Sequence, residues 1–408
     1  MNHVGVRRRW RAARDRILTI PKRSSSGFPA ASTGSIAHLS RERPAPVPRQ
    51  AAFATTWALA VATYKRHQVL AECVKRALGQ TVKPAEVVVV DASPNWQEGK
   101  LAVEALCREA SVPCQYVEAS VPSLAVQRNQ AIDLARADVL FMIDDDAMLF
   151  PDAAEHVLAI YDADRDAGVA GVQISPVDES PPSLDGPDVL DTVDLKPTGP
   201  RDWLKGSALG RFVYREILLM SRERTFVPYL GRYPDPEVPA EVTELGARPV
   251  RLFTGCAMTY RRSVIGLVRF NSWLRSYCPA EDLDASYRAS LQGCLVVAPR
   301  ARLRHIEVAS GRIKRRVATC LWASNQALFL RQNASDGAGA RQREFKILVA
   351  RRLFAELLKD AGSKRLDFPQ LRGVLQAMPI CRKLFTLPDG ELEAYYTRTQ
   401  AELLATKA

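Results

Sequence analysis

The apolar run Val139 to Ile143 passes directly into three consecutive carboxylates, Asp144, Asp145 and Asp146. In an extended chain Val139, Phe141 and Ile143 point to one side and Leu140 and Met142 to the other. Both faces are apolar, which is the pattern of an interior strand in a parallel sheet covered by helices on each side. The acids then stand at the C-terminal end of that strand, the edge where open α/β sheets bind ligands. Three adjacent like charges repel unless a cation or strong donors neutralise them. A hard divalent ion with oxygen ligands, shared with a phosphate, suits this chemistry. Taken alone, the triplet also reads as a solvated acidic turn before a helix starting near Pro151 and Asp152.

The surrounding pattern supports the buried strand. WALAVAT ending at Thr63 and AEVVVVD ending at Asp91 read as strands, separated by a helical HQVLAECVKRALGQ. A helix over 97–110, a short strand over 114–117 and a helix over 123–135 lead to the acidic strand, and GVAGVQI reads as the next one. Strands alternating with helices of this length predict a parallel, doubly wound sheet. Right-handed crossovers place Thr63, Tyr64, Asp91 and Asp144 on one edge. From Pro176 to about Arg248 regularity fails apart from the amphipathic WLKGSALGRFVYREILLM. A connection this long is usually functional or disordered. Order resumes with a strand in PVRLFTGCAMTYRRS, followed by PAEDLDASYRASLQG, CLVVAPRARLRH and helices over 314–330, 344–358 and 391–404.

At 408 residues the chain can bury a large core. Its formal charge of +12 is uneven: residues 1–50 hold 11 Lys/Arg against two acids and residues 301–360 hold 13 against five. The remainder, including the acidic edge, is net negative, which argues against nucleic acid and for phosphorylated substrates or an anionic membrane surface. Residues 1–52, rich in Arg, Ser and Pro, read as a disordered basic arm. No apolar run is long enough to span a bilayer, and no cleavable leader is evident. The eight cysteines form no CxxC pair, and Cys73, Cys256 and Cys294 lie in apolar segments. Buried thiols favour a reducing compartment. The expectation is a cytoplasmic protein, with peripheral contact at the inner face of a membrane as one option. In the late helices Val317, Leu321 and Leu328 accompany Arg315, Arg316 and Arg331, and Phe345, Val349, Leu353 and Leu357 accompany Lys346, Arg351 and Arg352. Such helices either lie on an anionic membrane or pack on the domain with a solvated basic face.

VATYKR with QTVKPAEVVVVDAS, then AVQRNQAI, DVLFMIDDDA, TGCAMTYRRS, and AEDLDASYRASLQG followed by RLRH, occur in this order. Together they resemble the family 2 glycosyltransferases, inverting enzymes of the GT-A fold. The resemblance implies a GT-A-like α/β fold, a doubly wound and mostly parallel sheet with flanking helices. It divides the chain into a nucleotide-sugar-binding half (53–176), an insertion on the acceptor side (177–248), a catalytic half (249–310) and a helical extension (311–408). Asp91 would then bond the nucleobase, with Thr63 and Tyr64 lining the same pocket, and Arg128 and Asn129 would approach the diphosphate, for which a guanidinium fork is suited. Tyr64 fits ordinary packing equally well. Asp144 would contact ribose or metal, Asp146 would hold a divalent Mn or Mg, and His305 falls at a family histidine near the diphosphate. Asp282 would be the base, with Glu281 and Gly255 on the acceptor side.

These roles describe transfer of a sugar from a nucleotide diphosphate donor to a hydroxyl of a glycan or lipid-linked acceptor. Two alternatives stand beside it. A nucleotidyltransferase would carry a Gly- and Arg/Lys-rich triphosphate loop that VATYKRHQVL lacks, and a basic binding module would not have an acidic edge. In the insertion, Trp203, Tyr229 and Tyr233 could stack on sugar rings, and Arg201, Lys205 and Arg211 could bind an acceptor phosphate.

Overall fold

The structure is a computed structural model, described here for residues 53–182, 207–306, 308, 313–334 and 338–405. The basic arm expected over 1–52, and Arg201, Trp203 and Lys205, lie outside the described residues.

The expected strands form one sheet. Strands β1 (Trp57–Thr63), β2 (Glu86–Asp91), β3 (Cys114–Glu118) and β4 (Val139–Ile143) are parallel to their neighbours in the order β3-β2-β1-β4. Each is preceded or followed by a crossover helix: α1 (His67–Leu78), α2 (Trp96–Glu109) and α3 (Leu124–Leu134). All five β4 side chains are buried, as two-sided apolarity requires. Beyond β4 the sheet is mixed and includes β5 (Ala147–Leu149), β6 (Val169–Pro176), β7 (Arg248–Pro249), β8 (Ala257–Arg261) and β9 (Cys294–His305). The full order is β3-β2-β1-β4-β8-β6-β9-β5, with β7 on β9. Strand β8 runs antiparallel to both β4 and β6, whereas β6 and β9 are parallel.

Two pairings position the site. Thr63 lies opposite Asp91 in the parallel β1–β2 register, so both strands end at the same edge. Ala147 lies opposite His305 in the antiparallel β5–β9 pair, which brings a histidine from the far end of the domain beside the acidic triplet.

PVRLFTGC is not a continuous strand as the sequence suggested. Only Arg248 and Pro249 pair with β9, and the chain then leaves the sheet until Ala257. Its backbone is held instead by side chains: Gln173 accepts from the Thr254 N–H at 2.9 Å and Asp282 from the Gly255 N–H at 2.9 Å.

After α4 (Ala153–Ala163), α5 (Ala208–Phe212), α6 (Ala240–Glu244), α7 (Arg262–Val268) and α8 (Glu281–Ser290), four helices close the chain: α9 (Arg315–Asn333), α10 (Ala338–Gly362), α11 (Pro369–Thr386) and α12 (Asp389–Ala405). Helix α11 was not among the expected helices, and Pro379 in its interior argues locally against one. Packing overrides that penalty. Its Gly373 lies so close to α9 that an added Cβ would come within 2.5 Å of the Arg316 carbonyl. Leu321, Leu328 and Phe345, among the residues offered for a membrane-facing stripe, are buried in the core, and Val349 packs against it. These residues face the domain, where packing among α9, α10 and α11 removes them from water, whereas Leu357 of the same set is 39% exposed.

Tyr229 also turns inward. It is buried, its hydroxyl donates to Asp284 at 2.6 Å, and its ring packs edge-on against Tyr287. The half-buried Tyr233 donates to the Glu223 carbonyl at 3.1 Å and lies under Arg251. Stacking of Tyr229 on a sugar is therefore corrected to a core role: its hydroxyl satisfies a buried carboxylate.

Candidate active site

The triplet is neutralised by donors from three stretches of the chain. Asp145 is buried and accepts from the Thr63 hydroxyl at 2.7 Å and from Arg66 at 3.1 Å. Asp146 is buried and accepts from Arg66 at 3.3 Å, from the Val308 N–H at 3.1 Å and from His305 Nε2 at 2.9 Å. Asp144 is the more open member; one oxygen accepts from Arg128 at 2.9 Å and the other lies 3.7 Å from His305 Nε2. Burial and the neighbouring Asp146 push the Asp145 carboxyl up to about 7, against the pull of Arg66 and Thr63. On Asp146 burial is outweighed by His305, Arg66 and the Val308 N–H, so its carboxyl stays below the usual range.

One ligand atom each from Asp144, Asp146 and His305 falls within 4.8 Å of the others. Two carboxylate oxygens and an imidazole nitrogen converging on one point fit a divalent ion such as Mn²⁺ or Mg²⁺. Asp145, turned toward Thr63 and Arg66, stands outside that set.

The second acidic group opens helix α8. Arg128 is buried and forks between it and the triplet. One guanidinium nitrogen donates to Glu281, and the other donates to Asp144 at 2.9 Å and to the Gly255 carbonyl at 3.0 Å. The Gly255 N–H in turn donates to Asp282 at 2.9 Å. A continuous chain of contacts therefore runs from Asp282 through Gly255 and Arg128 to Asp144. Among the described residues, the other Asp282 oxygen accepts only the adjacent Leu283 N–H, at 3.0 Å. Burial raises the pKa of Asp282, while Arg128 and Arg222 draw it back. Asp284 instead pairs with Arg288 one turn along, at 2.5 Å.

Other expected site residues have different partners. Asp91 is fully buried and accepts from Tyr116 at 2.6 Å, from the Ser93 N–H at 2.7 Å and bonds His67 at 2.9 Å. Its carboxylate is thus held rigidly at the sheet edge. Tyr64 is 42% exposed, with Lys65 over its ring. The Asn129 amide is used within the fold: it donates to the Phe270 carbonyl and accepts from the Phe270 N–H, both at 2.8 Å. Gly255 has no backbone angle that demands glycine; an added Cβ would meet Asp282 Oδ2 at 3.4 Å.

Arg66, Arg222 and Thr254 received no role from the sequence. Arg66 lies inside the quoted VATYKR, and a cation three residues beyond a strand end is the signal that could have found it. Thr254 presents a buried hydroxyl with no hydrogen-bond partner among the described residues. Nothing local marks Arg222, whose charge reaches Asp282 only through the fold.

Residues 59–189 match the family model described as Glycosyl transferase family 2. Similar solved structures include S. aureus TarS 1-349, at 15% identity and a TM-score of 0.45, covering 85% of this chain and 87% of that one. The same protein in complex with UDP-GlcNAc gives 14% and 0.46, with coverage of 85% and 91%. The mannosyltransferase PcManGT from Pyrobaculum calidifontis, in complex with GDP-Man and Mn2+, gives 17% and 0.42, covering 99% and 94%. No curated protein matches the chain.

Proposed function

We propose, from the premise that residues 59–189 carry a glycosyl transferase family 2 region, that the protein is a metal-dependent inverting glycosyltransferase. Its donor is a nucleotide diphosphate-sugar and its acceptor a hydroxyl of a glycan or a lipid-linked sugar. The observation that carries this reading is the convergence of Asp144, Asp146 and His305 at the sheet edge, joined through Arg128 and Gly255 to Asp282.

Asp144, Asp146 and His305 would hold the ion, whose chemistry is to stabilise negative charge developing on the departing diphosphate. Arg128 keeps the acceptor-side acids and the triplet in fixed relation, so that two reactants are oriented before reaction. Asp282 takes the acceptor hydroxyl's proton as the acceptor oxygen bonds to the anomeric carbon and the bond from that carbon to phosphate breaks. Among Glu281, Asp282 and Asp284 it suits this task best, because its carboxylate is held by backbone N–H groups and has no direct ion-pair partner among the described residues. Its raised pKa also makes it a stronger base than an ordinary aspartate.

The test is to incubate purified protein with a panel of nucleotide sugars and Mn²⁺ or Mg²⁺ and measure nucleoside diphosphate release. Release that needs the cation and is lost in Asp146→Ala supports the reading. Full activity in excess chelator defeats the metal assignment, and no release with any donor defeats the transferase assignment.

A further inference from the structure

While one side of α10 is buried, its opposite side exposes large apolar groups. Ile347 is 61% exposed and Phe354 55%, and they stand seven residues apart on one stripe with Arg351 between them. Beside this stripe lies the helical segment made of α5 and the π-helical turn Val213–Ile217. There Leu209 is 72% and Phe212 54% exposed, and spacings of three and four residues set them on the same side as Glu216. Arg351 donates to the Glu216 carbonyl at 2.9 Å, so the two segments touch at that point.

Exposed cations surround this surface: Arg343 and Lys346 on α10, and Arg215 beside Phe212. The acid on the face, Glu216, is already engaged by Arg224 at 3.1 Å, and Glu344 is paired with Arg341 at 2.6 Å. Apolar side chains among exposed Lys and Arg match a lipid surface, whose acyl boundary takes the former and whose anionic headgroups take the latter. A second copy of the chain is a poor occupant, because a two-fold interface sets the same patch against itself and brings like charges together.

We infer that the outer face of α10 and the adjoining segment Ala208–Ile217 dock the protein on an anionic bilayer surface. The same segment continues within five residues to Arg222, so the docking face lies on the chain that leads to the acceptor side of the site. A lipid-linked acceptor would then be met at the surface where it resides. The inference goes beyond the transferase reading and is tested without turnover.

The full-length protein is sedimented with vesicles of phosphatidylcholine alone and of phosphatidylcholine with phosphatidylglycerol, at low and high salt. Binding is expected to the anionic vesicles, to weaken with salt, and to be lost in Ile347→Ser with Phe354→Ser. Arg343→Glu with Lys346→Glu should lower partitioning at least roughly tenfold, since each cation near such a surface contributes about fivefold. All four positions are exposed, and unchanged melting temperatures establish that the variants are folded. If the serine pair melts early, the charge-reversal pair decides the question. Equal binding to neutral and anionic vesicles, or no binding to either, overturns the inference. So does a concentration-dependent dimer that the serine pair dissociates, which would make the face a contact between copies.

Discussion

Two groups of three acids line the site, and their surroundings differ. Asp144, Asp145 and Asp146 are consecutive at a strand end, where alternating side chains diverge; yet Asp144 and Asp146 return to one point because His305 and the Val308 N–H approach from β9 and the residues after it. Glu281, Asp282 and Asp284 lie on the first turn of a helix and are drawn apart: Glu281 to Arg128, Asp284 to Arg288 and Tyr229, Asp282 to the backbone at Gly255. The first group gathers two carboxylates and an imidazole at one point. The second spends two charges on structure and leaves one carboxylate available to accept a proton. Acid clusters of equal size thus acquire opposite chemistry from the direction of their cationic partners.

The sharpest test of that contrast is Asp282→Asn. It removes the base and preserves shape, so turnover should fall by about 10²–10⁴ while donor affinity, measured by calorimetry, is unchanged. Parallel loss of donor affinity would assign Asp282 to binding.

Arg288→Ala should instead act on stability. It leaves Asp284 charged and buried without its ion-pair partner, which costs about 3–5 kcal/mol, readable by urea unfolding. A stability change below about 1 kcal/mol would remove the structural role given to that pair.

On the strand-end side, Asp146→Ala should reduce kcat by roughly 10²–10³, the range for losing one stabiliser of developing charge. It should also abolish the thermal shift that Mn²⁺ produces in the parent protein. A retained shift would place the ion elsewhere.

A smaller effect follows from the raised pKa of Asp282, which is faced by Glu281, Arg128, Arg222 and Tyr260. The base must be unprotonated, so activity is lost as pH falls through its folded pKa. The acidic limb of kcat/KM should therefore centre above the ordinary aspartate value of about 4. Arg222→Ala removes a charge that favours the carboxylate, and the limb should move to higher pH. Movement to lower pH would contradict the geometry.

Gly255→Ala is the mildest change. Its Cβ would meet Asp282 Oδ2 at 3.4 Å, an ordinary contact, so turnover should fall by less than about tenfold. A larger loss would mean that an acceptor or donor atom approaches the glycine itself.

The strand into the triplet, the parallel edge shared by Thr63 and Asp91, and the helix opened by Glu281 and Asp282 were legible because alternation, helical spacing and turn residues are local signals. The family match covers the strand into the triplet and the Thr63–Asp91 edge, and ends at residue 189, before the Glu281–Asp282 helix. Helix α11 was not among the expected helices; Pro379 in its interior carries a local penalty, and Gly373 seats the helix closely on α9. What the sequence could not determine was which charges meet. Arg128 and Glu281 are 153 positions apart, and Asp146 and His305 are 159 apart. No periodicity encodes such a pairing, since it follows from sheet order and strand direction. Sequence therefore determined which acids stand at the edge, and tertiary structure decided which come together with His305, which are held in ion pairs, and which one keeps only backbone N–H contacts among the described residues.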